Sequence, residues 1–259
     1  MTRAATLAPA TISEADGVRY LHLGTPWVQG AMRLRTPNAI ELEYVQRMMA
    51  WTLLRPQPAL ARGHAVQLGL GAASLTRFCH GVMRMRVTAV ELNPTVIDAC
   101  RLWFRLPDDG PRLDVLQTDA RDYVGDPAHA GTADVLCVDL YDQDAAAPVL
   151  DSPTFYRHCH RLLGEGGVLS VNLFGRDASF ERSARRIAAA FGAERVRSLR
   201  PTREGNTIVV AVRDADVPDR DTLAARAQNV ESRFKLPASK WLRMMRPLPA
   251  DDAAASTGT

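Results

Sequence analysis

Apolar and polar positions alternate along this chain with a period that changes several times. From 17 to 34, GVRYLHLGTPWVQGAMRL switches between apolar and polar residues and is broken at Gly24-Thr25-Pro26, which predicts two strands of a small antiparallel sheet. Residues 1 to about 12 carry no such period and are expected to be a loose leader. At Thr36-Pro37 the period lengthens. Ile40, Tyr44, Val45, Met48, Trp51 and Leu54 form an apolar stripe at helical spacing. Thr36 is then the expected N-cap and Pro37 the first helical residue, with Glu41 and Glu43 near the positive end and Pro56 and Pro58 as the stop. The whole piece, 1–60, is the size of a lid.

A regular alternation of strand and helix patterns follows over 61–213. Strands are predicted at Ala65 to Leu68, Arg86 to Val90, Leu113 to Gln117, Ala133 to Val138 and Val168 to Leu173, and at Arg195 to Leu199 and Thr207 to Val212. Helices are predicted over Ser74 to about Met83, from Pro94 to before Pro107, from Ala120, over Thr154 to Leu163 with Gly164 and Gly166-Gly167 closing it, and over Ser179 to Phe191. Strand and helix in turn imply an α/β fold with a doubly wound, mostly parallel, Rossmann-like sheet. In 214–259, Leu223, Ala227, Val230 and Phe234 have helical spacing and Trp241 to Met245 adds a short apolar piece. This extension could cover the core or a second subunit, and the final ADDAAASTGT has too little apolar surface to order itself.

Composition narrows the class without naming a function. The 259 residues are 46% hydrophobic and 24% charged, as in soluble globular proteins. A formal charge of +3, with basic residues scattered among acids, gives no electrostatic footprint for nucleic acid. Cys79, Cys100, Cys137 and Cys159 lack CxxC spacing and read as free thiols. No stretch approaches the length of a bilayer span and the amino terminus lacks a signal-like apolar run, so a cytoplasmic location with no membrane partner is expected.

The candidate chemistry clusters where predicted strands end. Gly69-Leu70-Gly71 follows the first core strand, and Glu91 closes the second about 20 residues on, the spacing at which nucleotide folds place a ribose-binding acid. A carboxylate there can accept both hydroxyls of a ribose. The GxG alone is a weak signal, since a third fingerprint glycine would fall at Ser74. Asp119 and Asp139 stand at the ends of the next two strands, so three acids would line one edge of the sheet. Each could equally be a loop acid or a helix N-cap.

AVQLGLGAAS, AVELNPTVID, VLQTDARDYV and above all VLCVDLYDQDAAAPVLDSPTFYRHCHRLLGEGGVLSVNL resemble the spermidine synthase family of aminopropyltransferases, over roughly 15–213. That resemblance implies a class I methyltransferase-like fold and transfer of an aminopropyl group from decarboxylated S-adenosylmethionine to an amine such as putrescine. By it, Glu91 is the ribose-binding acid, and Asp119 with Ala120 the adenine contact. Gly69 and Gly71 belong to the glycine motif, and Gln29 is a further donor-binding residue. Tyr44 is the active-site tyrosine, Asp139 the general base and Asp142 the second acid of a D-x-x-D loop. It implies a homodimer and no tightly held cofactor or metal, the sulfonium compound being a co-substrate.

The chemistry suits those residue types. A sulfonium carbon is already electrophilic, so the enzyme has to orient a neutral amine and remove a proton, and a carboxylate on a rigid strand end can do both. Asp142 and Asp144 could hold the distal ammonium of a polyamine.

Two departures stand out. Ala72 occupies the place of the family's glycine-motif aspartate and Val45 that of a glutamine after the tyrosine, positions that hold the amino end of the aminopropyl group. Three readings therefore stay open: an aminopropyltransferase with another amine contact, an enzyme using S-adenosylmethionine itself, with Arg77, Arg33 or Arg35 meeting its carboxylate, or a nucleoside-binding protein without turnover. His158-Cys159-His160 is not expected to bind metal, because three successive helical residues point in different directions.

Overall fold

In the computed structural model, described over residues 7–141, 150–174 and 178–248, the chain begins with an antiparallel three-stranded sheet. It comprises β1 (Ala10–Ala15), β2 (Val18–Leu23) and β3 (Gly30–Arg33). The sequence pattern predicts only the second and third strands. The first begins inside the expected leader and runs on to Ala15, and its signal is the Asp16-Gly17 pair, a two-residue hairpin turn joining Ala15 to its partner Val18.

Helix α1 (Glu43–Met48) starts later than Pro37 and runs straight into a 3-10 turn, Met49–Leu53. Thr36 is not its cap. The Pro37 carbonyl, which a helix begun there would need, is taken by Arg77 Nε at 2.9 Å, and the Ile40 carbonyl by Gln46 Nε2 at 2.7 Å. Leu42 therefore precedes the helix, without a side-chain cap. The stripe itself is as expected: Val45, Met48, Trp51 and Leu54 are buried.

The main sheet has eight strands. Five are parallel, with helices between: β4 (His64–Leu68), α2 (Ser74–Arg77), β5 (Arg86–Glu91), α3 (Pro94–Trp103), β6 (Leu113–Gln117), α4 (Ala120–Gly125), β7 (Ala133–Val138), α5 (Pro153–Leu162) and β8 (Leu163–Phe174). Asn93 and Ser152 cap α3 and α5, each followed by proline at the first helical position. The helix expected over Ser74 to Met83 is shorter, because Phe78–Val82 forms a π turn. The glycines expected to close α5 instead begin β8, where the register against β7 shifts between Ala133 and Val135.

Then come α6 (Ala178–Phe191), β9 (Val196–Leu199), β10 (Asn206–Val212), α7 (Arg220–Phe234), α8 (Ala238–Met244) and β11 (Met245–Pro247). The spatial order is β11-β9-β10-β8-β7-β4-β5-β6. Here the sheet stops being parallel: β10 runs antiparallel to β8 and to β9, and β11 antiparallel to β9. No helix separates β9 from β10, and so short a link cannot make a parallel crossover.

Alternating strand residues feed two cores. Ala65, Val87, Val135, Val168 and Val210 face α1, its 3-10 turn, α2, α3, α7 and α8; Val66, Leu136, Leu169 and Val209 face α4, α5 and α6. The carboxyl extension is packed on this chain's own core, with Leu223, Ala227, Val230 and Trp241 buried. Among the described residues no helix is long and apolar enough to cross a membrane, and all four cysteines are free and buried.

Candidate active site

After β4 the chain builds β5 and β6 on one side, then returns to place β7 on the other. The crevice outside the carboxyl ends of strands at such a reversal is where open α/β sheets bind ligands. The strand ends bring there, in spatial order, Asp139 after β7, the Gly69-Leu70-Gly71 turn after β4, Glu91 at the end of β5 and Asp119 just beyond β6.

Gly69 is the tight point. Its φ is +89°, and a Cβ there would lie 2.2 Å from the Asp139 carbonyl oxygen. The turn and the β7 acid are therefore in backbone contact. The three-stranded sheet closes over the turn from above. A Cβ on Gly30 would lie 2.5 Å from the Ala72 nitrogen, Gln29 approaches Gly71 through its carbonyl, and Ser74 Oγ donates to the Ala31 carbonyl at 3.0 Å.

Glu91 is gripped by backbone. Its Oε2 accepts from Leu70 N at 2.9 Å and its Oε1 from Asn93 N at 2.8 Å. Burial pushes its pKa above the ordinary carboxylate value, against the downward pull of these amides. Asp119 caps α4, with Oδ1 accepting from Arg121 N at 2.7 Å, and Ala120 is buried in the first helical turn. The N-cap role and the place at the sheet edge are thus compatible.

Asp139 is held by side chains. Asn172 Nδ2, from the end of β8, donates to its Oδ1 at 2.8 Å, and the Tyr44 hydroxyl on α1 donates to the same carboxylate. Burial raises the Asp139 pKa, and the two donors partly offset it. Burial, reinforced by the Asp139 charge, raises Tyr44 well above its ordinary value, so it stays a neutral donor. Tyr141 ties this corner further: its hydroxyl donates to the Asn172 carbonyl at 2.9 Å and accepts from Phe174 N.

The structure thus gathers Gln29, Tyr44, Gly69, Gly71, Glu91, Asp119, Ala120 and Asp139 around one crevice, while Asp142 and Asp144 lie outside the described residues. Asn172 escapes the sequence reading. Its signal is a polar residue inside the apolar run VLSVNLF, which must find a partner once buried.

The three arginines considered for a carboxylate ligand differ. Arg33 pairs with Glu41, Nε donating to Oε2 at 2.9 Å. Arg35 is exposed. Arg77 is buried and donates to the Pro37, Ala72 and Phe104 carbonyls, its pKa brought down to about 10 by burial.

His158, Cys159 and His160 diverge, Cys159 into the core and His160 toward Asp214. No group of three or more His, Cys, Asp or Glu among the described residues could hold a metal ion.

No protein-family model matches the chain. It is similar to the polyamine aminopropyltransferase of Chromobacterium violaceum, 31% identical over 237 residues that cover 91% of this chain and 88% of that one. It is likewise similar to the polyamine aminopropyltransferase of Neisseria meningitidis, 32% identical over 87% of this chain and 84% of the relative. In fold it resembles a probable spermidine synthase from Corynebacterium glutamicum, with a TM-score of 0.70 at 20% identity over 93% of both chains.

Proposed function

The chain belongs to the polyamine aminopropyltransferase family, and on that premise we propose that it moves an aminopropyl group from decarboxylated S-adenosylmethionine to a small amine such as putrescine. The observation that carries this reading is Asp139, a largely desolvated carboxylate in backbone contact with the glycine turn and held by the neutral donors Tyr44 and Asn172. Among the described residues no cation is paired with it, so it is free to act as a base.

In the proposed step the amine lone pair attacks the propyl carbon bonded to sulfur. The carbon–sulfur bond breaks with its electrons going to sulfur, which leaves neutral methylthioadenosine. The new ammonium gives its surplus proton to the Asp139 carboxylate. Glu91 takes the ribose hydroxyls, Asp119 and Ala120 meet the adenine, Gly69 and Gly71 let the donor approach the backbone, and Gln29 covers it from just before β3. Tyr44 lies beside the transferred group, and Asp142 takes the acceptor's distal ammonium together with Asp144.

The choice of donor rests on the family rather than on the arginines. Arg33 already carries a carboxylate, and Arg77 gives Nε and Nη1 to three carbonyls but keeps Nη2 buried without a partner, while Arg35 is exposed. Ala72 and Val45 are buried and bring no polar side-chain atom to the donor's amine. The reading also keeps the homodimer, which sedimentation at twice the 28.4 kDa chain mass tests.

Calorimetric binding of S-adenosylmethionine, its decarboxylated form and methylthioadenosine, followed by product analysis with putrescine, decides the matter. Preference for the decarboxylated donor with formation of spermidine is expected. Preference for the carboxylated donor together with a methylated product would overturn it.

A further inference from the structure

Asp139 is supported from behind by a row of buried polar side chains that reaches two strands away. Asn172 Nδ2 donates to Asp139 at 2.8 Å. Asn206 Nδ2, at the start of β10, donates to Asn172 Oδ1 at 3.1 Å. Thr202 Oγ1, in the loop between β9 and β10, donates to Asn206 Oδ1 at 3.4 Å and accepts from Asn206 N at 3.1 Å. Asn172, Asn206 and Thr202 are only 4%, 8% and 5% exposed.

The order of donors is not arbitrary. An ionised carboxylate only accepts, so Asn172 must turn its amide nitrogen to Asp139 and its oxygen away. That oxygen in turn requires the nitrogen of Asn206, which leaves the Asn206 oxygen for the Thr202 hydroxyl. The far end is anchored by backbone, Thr202 N to the Asn206 carbonyl at 2.8 Å and Gly205 N to the Thr202 carbonyl at 3.2 Å. Every side-chain donor in the row points toward the acid, and the Asn206 backbone N–H holds Thr202 Oγ1 from the other side. A chain of buried hydrogen bonds with one polarity resists reversal, because flipping any amide sets donor against donor and acceptor against acceptor.

We propose that Asn206 and Thr202 are positioning residues that, through Asn172, fix one N–H on Asp139 and thereby hold the carboxylate in the orientation and basicity that aminopropyl transfer needs. This rests on Asp139 being the base. Among the described residues the titratable groups that face Asp139 are Tyr44 from α1 and, in its own segment, Cys137 and Tyr141; β8 and β10 bring only the uncharged Asn172 and Asn206. Burial keeps Tyr44, Tyr141 and Cys137 protonated. The acid's hydrogen-bond set is thus its main adjustable influence.

The test is the acidic limb of the kcat/KM profile. Asn172→Leu removes the donor and should lower kcat by about tenfold while moving the limb to higher pH. Asn206→Asp replaces the donor behind Asn172 with an acceptor. The Asn172 amide is then drawn around, its oxygen turned toward Asp139, and the limb moves up by roughly one pH unit. Thr202→Val, equal in shape, should move the limb in the same sense but less, and Thr202→Ser, which keeps the hydroxyl, should restore the wild-type profile. KM for the donor should change little in all of them.

If Asn172→Leu does not fold, Asn206→Asp and the Thr202 pair decide. Limbs superimposable on wild type in folded Asn206→Asp and Thr202→Val would overturn the relay. An Asp139→Asn enzyme as active as wild type would instead overturn the base assignment, so the two failures are distinguishable.

Discussion

Glu91 and Asp139 flank β4 on the same edge of the sheet, each closing a strand, and burial raises the pKa of both. They are held in different ways. Glu91 takes both its donors from main-chain amides, Leu70 and Asn93, which the turn after β4 and the start of α3 supply whatever the side chains are. Asp139 takes its donors from the side chains of Tyr44 and Asn172, which are far away in sequence and can be altered one at a time. A backbone-held acid suits a binding contact that must not move. A side-chain-held acid suits a group whose basicity is tuned to a reaction.

The largest effect should come from the side-chain-held acid. Asp139→Asn is expected to lower kcat by about 10²–10⁴-fold, with nucleoside affinity by calorimetry unchanged. Turnover that survives would erase the difference in role. The same contrast fixes a pH dependence. Because burial favours the protonated acid, the base form of Asp139 is populated at higher pH than that of an exposed aspartate. Wild-type kcat/KM should therefore fall as pH drops through that raised pKa, and a Glu91 variant should leave the limb where it is.

Gly69→Ala tests what joins the two acids. With φ at +89° and the Asp139 carbonyl 2.2 Å from the added Cβ, the change should destabilise the protein by about 2–4 kcal/mol, read by urea denaturation. A near-neutral result would mean that the turn can move away from β7. Next in size, Glu91→Ala should weaken methylthioadenosine binding by about 1–3 kcal/mol, and an unchanged affinity would remove Glu91 from the site. Smallest is Asp119→Ala, which removes the α4 cap and should cost about 1 kcal/mol of stability. A further loss of nucleoside affinity would show that the acid does both jobs.

How much of this was legible in the sequence depended on range. The parallel strands between 61 and 174 followed from local period and the start of α3 from Pro94, because both are short-range rules, and the Asn93 and Ser152 caps that the structure adds are equally local signals. The Asp16-Gly17 hairpin was written just as locally, though its strand was hidden in a weakly periodic leader. The start of α1 was not legible. It is set by Arg77, which takes the Pro37 carbonyl from 40 residues away. The short link between β9 and β10 could have announced the antiparallel turn, since a parallel pair needs a longer crossover.

The sequence by itself determined the edge of the site: strands that end in Glu91, Asp119 and Asp139, a glycine turn between them, and the family to which those residues point. Those features depend on strand period and turn chemistry, which act within a few residues. Only the tertiary structure decided which donors meet each acid. Asn172, Asn206 and Thr202 are spread over three segments, and it is the antiparallel pairing of β8 with β10 that sets them in a row behind Asp139. Strand pairing is a property of the whole sheet, and no stretch of sequence specifies it alone.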